Sequence, residues 1–181
     1  MFRIALVLVA AALAGACASL PSPSPVQLPP AGGFELNGRV SVRYGSEGVS
    51  GSIFWRHSSD ADELLITSPL GQGVARISRS GREVQLIASD GRHYRATDAE
   101  SLSERVLGWR LPLAGLPDWV LARPGPGGPA ALSRDGEGRV IELRQDDWSI
   151  EYQEYEGGRP SRLRLRRDNL EIRLVIDRWN A

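Results

Sequence analysis

The chain contains no lysine: all 22 of its basic side chains are arginine, set against 22 acidic ones. Without lysine there can be no Walker-type phosphate loop, no lysine Schiff base and no Ser-Lys hydrolytic dyad. Cysteine is almost as scarce. Cys17 is the one thiol, so no intramolecular disulfide can form and stability must come from a buried core. The two histidines, His57 and His93, are far apart and lack metal-ligand spacing such as His-x-x-x-His. Gly48-Val49-Ser50-Gly51 misses the residue that a nucleophile elbow needs between its serine and second glycine. Asp146-Asp147 reads as a solvated turn before Trp148. The expectation is therefore a protein with no catalytic group, no metal and no cofactor. The balanced charge gives no sign of a nucleic-acid partner.

Long apolar runs are also missing, with one short exception at the start. Met1-Phe2-Arg3 is positive, Ile4 to Leu13 is apolar, and Ala14-Gly15-Ala16 are small. A run of about ten apolar residues is too short to span a bilayer, which takes roughly 20, and reads as a cleaved export signal. Ala14-Gly15-Ala16-Cys17 resembles a bacterial lipobox, in which the cysteine thiol takes a diacylglycerol before cleavage. The alternative is an ordinary signal peptide ending near Ala16. Ala18 follows Cys17 where aspartate would imply inner-membrane retention, so the lipobox reading implies sorting to the outer membrane. Residues 1–16 are thus expected to be the signal, and their loss takes Arg3 from a 22:22 balance, leaving a net charge of −1. Residues 17–33 carry the lipidated Cys17 and a tether punctuated by Pro21, Pro23, Pro25, Pro29 and Pro30. In polyproline-like form, at about 3.1 Å per residue, the segment after Cys17 would reach roughly 50 Å.

Residues 34–181 read as one folded domain. Phe34, Leu36, Val40, Val42 and Tyr44 alternate with polar residues, which predicts a long strand with one apolar face. Gly38 breaks that face and marks a bend or bulge. Further strands are expected at Val49 to Arg56, Glu63 to Thr67, Val74 to Ser78, Glu83 to Ala88 and His93 to Ala96, an antiparallel meander. Thr97-Asp98-Ala99-Glu100 predicts a capping box with Thr97 as N-cap, opening a helix that Gly108 stops. Leu102, Val106 and Leu107 form its apolar stripe. A second short helix is expected over about Ala114 to Ala122, and strands return at Arg139 to Gln145, Trp148 to Tyr155, Arg162 to Arg167 and Leu170 to Asp177. About ten strands with so few helices leave two possibilities, a packed sandwich core or a barrel that encloses an apolar ligand. A third class is an assembly lipoprotein that binds protein partners and has no lipid cavity. Arg162, Arg164, Arg166 and Arg167 would be its docking face, or simply a charged outward strand face.

Several segments together resemble the LolB family. They are Phe34-Glu35-Leu36-Asn37-Gly38-Arg39-Val40-Ser41-Val42, Ile53-Phe54-Trp55, Leu65-Ile66-Thr67-Ser68-Pro69-Leu70-Gly71, Tyr94-Arg95-Ala96-Thr97-Asp98-Ala99-Glu100, Leu111-Pro112-Leu113 with Asp118-Trp119-Val120, Trp148-Ser149-Ile150-Glu151-Tyr152, and Ile172 to Trp179. The resemblance implies an incomplete antiparallel β-barrel of about ten or eleven strands, with a helical lid over a hydrophobic cavity. It implies an outer-membrane lipoprotein facing the periplasm that accepts the acyl chains of client lipoproteins from a LolA-type carrier, and acts as a monomer. It also implies a protruding loop whose exposed leucine works at the bilayer, here Leu70 between Pro69 and Gly71. Trp119 and Trp148 fall at family tryptophan positions and, with Leu102, Val106 and Leu107, are candidates for the lid and cavity wall. Trp109 has no counterpart in that pattern and reads as peripheral.

The mature protein is expected to begin at a lipid-bearing Cys17. Mass spectrometry of the detergent-extracted protein should show the N-terminal excess of three acyl chains, and an unmodified N-terminus would end the lipoprotein reading.

Overall fold

A computed structural model describes residues 33–180, apart from the side chain of Leu107. The export signal, Cys17 and the tether up to residue 32 lie outside them. Eleven strands form a single antiparallel sheet: β1 (Phe34–Tyr44), β2 (Glu47–His57), β3 (Ala61–Thr67), β4 (Gly73–Ser80), β5 (Glu83–Ala88), β6 (His93–Ala96), β7 (Ala131–Arg134), β8 (Val140–Gln145), β9 (Trp148–Glu156), β10 (Arg159–Arg167) and β11 (Leu170–Asn180). Two helices, α1 (Ala99–Leu107) and α2 (Leu116–Trp119), fall between β6 and β7. The sheet order is β6-β5-β4-β3-β2-β1-β11-β10-β9-β8-β7, so the first and last strands pair at its centre. Its two edges, β6 and β7, are joined through the helical segment. This is the incomplete barrel expected from the resemblance.

Curvature comes from local breaks in the ladders. The β1–β11 register shifts between Asn37 and Gly38. A Cβ at Gly38 would sit 2.1 Å from the Val175 carbonyl oxygen, so only glycine lets β1 pass β11 that closely. A second irregularity lies at Pro160 to Leu163 in the β9–β10 ladder. The alternation then sends Phe34, Leu36, Trp55, Leu64, Ile77, Leu86, Ile150, Leu163, Leu165 and Leu174 into one core.

Two details differ from the sequence expectations. Asp98, not Thr97, is the N-cap of α1: its carboxylate accepts from the Glu100 and Ser101 backbone N–H groups at 3.2 and 3.1 Å. A carboxylate reaches both orphan amides at once and is favoured by the helix dipole, which a threonine hydroxyl cannot match. The Pro/Gly stretch after α2 also leads into a further strand, β7. Its exposed Ala-Leu-Ser-Arg sequence shows no alternation, yet it pairs with β8.

The open end of β2 and β3 is fixed by a buried acid. Asp62 accepts from Trp55 Nε1 at 2.9 Å and Arg79 Nε at 2.6 Å, and pairs with His57 Nδ1 at 2.7 Å. Phe34 packs edge-on against Trp55 and Trp179 beside this cluster. Burial pushes the Asp62 carboxyl upward, but the hydrogen bonds from His57, Trp55 and Arg79 outweigh it and hold the group below the usual carboxylate range. A depressed folded value means that the contribution to stability is complete above the unfolded pKa of about 3.9 and is lost as pH falls through the lower folded value. Asp62→Ala is expected to cost on the order of 3–5 kcal/mol at neutral pH by stranding Arg79 and Trp55. Urea unfolding should show wild type and variant converging below about pH 4, as the wild-type carboxyl takes up its proton.

Candidate functional site

Most inward residues are bulky in both halves of the sheet, including Phe34, Trp55, Leu64 and Ile77 on the β1–β5 side. On the β8–β11 side they are large, including Trp148, Tyr152, Leu163, Leu165 and Ile172, and they pack solidly against Trp119 of α2. The Trp119 and Trp148 rings lie 5.9 Å apart, and the Tyr152 hydroxyl donates to the Trp119 carbonyl at 2.7 Å. On the β1–β5 side three inward positions are small: Gly51, Ala75 and Ala88, the last two directly paired across β4 and β5. Gly51 cannot be larger, because a Cβ there would lie 1.9 Å from the Thr67 carbonyl oxygen.

Those missing side chains leave a cavity of about 270 Å³. Val40, Val42, Ile66 and Val74 form much of its wall, and Val106 of α1 and Trp109 close it from the helical side. Val106 thus faces this cavity from α1. Leu102, on the same helix, is buried in the core and is not among the residues that line this cavity. Leu107 lies outside the described side chains. Trp119 belongs to the packed half and does not line this cavity, while Trp148 borders a second cleft of about 190 Å³ between Trp109 and Leu170.

Trp109, expected at the periphery, is 8% exposed and lines both of these cavities and a third of about 130 Å³ beside Tyr44 and Val49. Trp109 is the one side chain common to all three. Gly108 explains why it can be. In the left-handed conformation at φ 81°, Gly108 ends α1 and turns the chain back under the helix, carrying Trp109 inward. The small residues are visible in the sequence, but they lie on β2, β4 and β5, and which strand positions come together is a matter of register.

The lid segment is held by polar contacts that do not depend on the cavity. Ser103 Oγ accepts from the Leu111 backbone N–H at 2.7 Å and donates to the Glu100 carbonyl at 3.0 Å. Gln145, buried on β8, accepts from Trp119 Nε1 at 2.9 Å and the Gly125 N–H at 2.8 Å, and its amide donates to the Gly125 and Gly128 carbonyls. One side chain thus fastens the Pro/Gly connection to the sheet with its own groups satisfied.

The loop between β3 and β4 projects from the barrel. Ser68 organises it: its N–H donates to the Gln72 carbonyl at 2.7 Å, its carbonyl accepts from Gly71 at 2.8 Å, and its hydroxyl accepts from the Gln72 N–H at 3.2 Å. Pro69 and Leu70 sit at the tip, and Leu70 is 88% exposed, the most exposed large apolar side chain among the described residues. No group of three acidic, histidine or cysteine side chains that could hold a metal is found among them.

The family description "Outer membrane lipoprotein LolB" matches residues 32–179. Among curated relatives, the outer-membrane lipoprotein LolB of Thiobacillus denitrificans is 41% identical over 184 residues, covering 100% of this chain and 99% of the relative. That of an Azoarcus species is 39% identical, covering 98% and 95%. Among solved structures, a LolA superfamily protein from Nitrosomonas europaea superposes with a TM-score of 0.53 at 12% identity, covering 84% of this chain and 87% of that one. This last likeness is one of fold.

Ala88→Leu should fill the cavity without breaking the barrel. Titration with an apolar fluorescent probe is expected to lose most of its binding, while the melting temperature stays level or rises. A packed site would instead give the cost of about 1–3 kcal/mol that overpacking brings.

Proposed function

The chain belongs to the LolB family of outer-membrane lipoproteins, and from that premise we propose that it receives lipoproteins from a LolA-type periplasmic carrier and inserts them into the inner leaflet of the outer membrane. Members of this family traffic lipoproteins and are not enzymes. The observation that carries the proposal is the apolar cavity beneath Val106 and Trp109, where Gly51, Ala75 and Ala88 omit side-chain volume.

Transfer of an acyl chain between apolar sites requires no bond chemistry. Each buried methylene contributes about 0.8 kcal/mol, so direction follows if the carrier holds the chains less favourably than this protein, and this protein less favourably than the bilayer. The cavity, at about 270 Å³, is smaller than the roughly 300–1,000 Å³ typical of ligand pockets, so acceptance of acyl chains requires it to widen, with the lid moving. The movable part is α1 with Trp109, which rests on β5 and the edge strand β6. Displacing the indole would join the three small cavities into one trough.

Delivery falls to the β3–β4 loop. Burying Leu70 in the bilayer surface contributes about 1.5–3 kcal/mol, enough to bias the loop toward membrane and too little to anchor the protein. Leu70→Glu should accept client from the carrier normally and release it poorly into liposomes. A two-stage transfer assay scores receptor-bound and liposome-bound client separately. Equal failure of both stages would make Leu70 a support of the fold or cavity, and no effect on either would remove the loop from the mechanism.

A further inference from the structure

The outward face of the central strands is untouched by acyl transfer. Its residues stand in cross-strand rows running from β1 through β11 and β10 to β9: Arg39, Val175, Arg162 and Glu154, then Ser41, Arg173, Arg164 and Glu151, then Arg43, Glu171, Arg166 and Ser149. Arginines outnumber carboxylates, even with Asp177 beside Arg39. Arg164 and Arg173 are directly opposite one another, an arrangement that destabilises a sheet when nothing neutralises it. Glu171 already serves Arg43, Arg166 and Arg173 at 3.4, 3.2 and 2.7 Å, and Glu151 serves both Arg164 and Arg166. Burial pushes the Glu171 carboxyl up, yet the arginines around it hold it below the ordinary range.

A groove of about 460 Å³ crosses this face. Small residues, Ser41, Ser50 and Ser52, give it depth, and the arginines Arg39, Arg162 and Arg173 stand in its lining, Arg39 being held by Asp177. Arg162 and Arg173 are held by one edge only. Arg162 Nε donates to Glu154 at 2.8 Å and Arg173 Nε to Glu171 at 2.7 Å, while their Nη groups make no hydrogen bond to a described residue. The carboxylates thus orient two guanidinium forks and leave the paired donors that match phosphate oxygens. Pro69 lines the same groove, so it adjoins the loop that carries Leu70.

We propose that this groove seats the phosphate of an anionic phospholipid headgroup, gripped by Arg162 and Arg173, and so sets the orientation in which the Leu70 loop meets the bilayer. The proposal rests on the reading that this loop enters the membrane. Free inorganic phosphate offers the same oxygens, and an acidic protein surface offers the same charge. The contiguity with the loop favours the lipid.

The test uses the mature anchored chain in vesicles of phosphatidylcholine with phosphatidylglycerol, doped with a headgroup-photoactivatable phosphatidylglycerol, and maps cross-links by peptide mass spectrometry. Labelling is expected on β1, β10 and β11, falling about fivefold for each of Arg162→Gln and Arg173→Gln, the effect of one basic side chain at an anionic surface. Ser52→Glu, which puts a carboxylate into the groove, should fall likewise. Arg82→Gln, with the same loss of charge in the β4–β5 turn, should label as wild type. Equal labelling of the groove variants and wild type would overturn the proposal. So would displacement of the lipid by millimolar inorganic phosphate, which would make the groove a soluble-anion site. Normal labelling with lost acceptance from the carrier would make it a protein-docking face. Failure of the loop reading is distinguishable, because Leu70→Glu would then deliver normally while the groove of wild type is still labelled.

Discussion

Pairing of the first strand with the last is the constraint on which the rest of the structure depends. Glu35 to Tyr44 lie against Leu170 to Asn180, and this ladder welds two meanders that would each be an open, one-faced sheet. It also sends both free edges to the same side, where β6 and β7 face a gap that one continuous segment must cover. Backbone groups on those edges and the apolar inner face create the demand that α1, α2 and the Pro/Gly connection meet. The cover of the barrel is thus a consequence of its closure at the opposite side.

Two buried polar clusters stabilise this arrangement at points where apolar contact alone would not fix geometry. Asp62 ties β2, β3 and β4 at one end through Trp55, His57 and Arg79. Gln145 ties the cover to β8 through Trp119 and the glycine backbone. Both are fully engaged, which is the condition for a buried polar group to add specificity without a desolvation loss. Between them the interior divides. The side that Gln145 serves is filled by tryptophan, tyrosine and leucine, and the other is filled by Phe34, Trp55 and Leu64 except where Gly51, Ala75 and Ala88 leave the cavity. The cavity thus lies against α1, and the packed cluster of Trp119, Trp148 and Tyr152 lies against α2.

The two faces of the sheet differ in the same way. The inward face supplies an apolar site, the outward face a row of oriented arginines, and the β3–β4 loop joins the two at the Thr67 end of β3. Absence of lysine bears on this. A surface made only of arginine presents planar forks that a neighbouring carboxylate can hold by one edge, which a single ammonium point charge cannot reproduce.

Alternation along the chain determined most strands, because a half-buried antiparallel strand must repeat every two residues whatever its partners. The capping segment and its glycine stop located α1, and the resemblance located the tip Ser68-Pro69-Leu70-Gly71; the conformation of each is set by residues close in sequence. Edge strand β7 was illegible because both its faces meet solvent, leaving no pattern to read. The choice of Asp98 over Thr97 turned on which oxygen reaches two amides, a question of φ and ψ rather than of residue type. The cavity, the burial of Trp109 and the Gln145 clamp were decided by tertiary structure alone. Each depends on which residues of distant strands fall in the same row, and that register is fixed by long-range pairing and the bulge at Gly38, for which a one-dimensional sequence carries no coordinate.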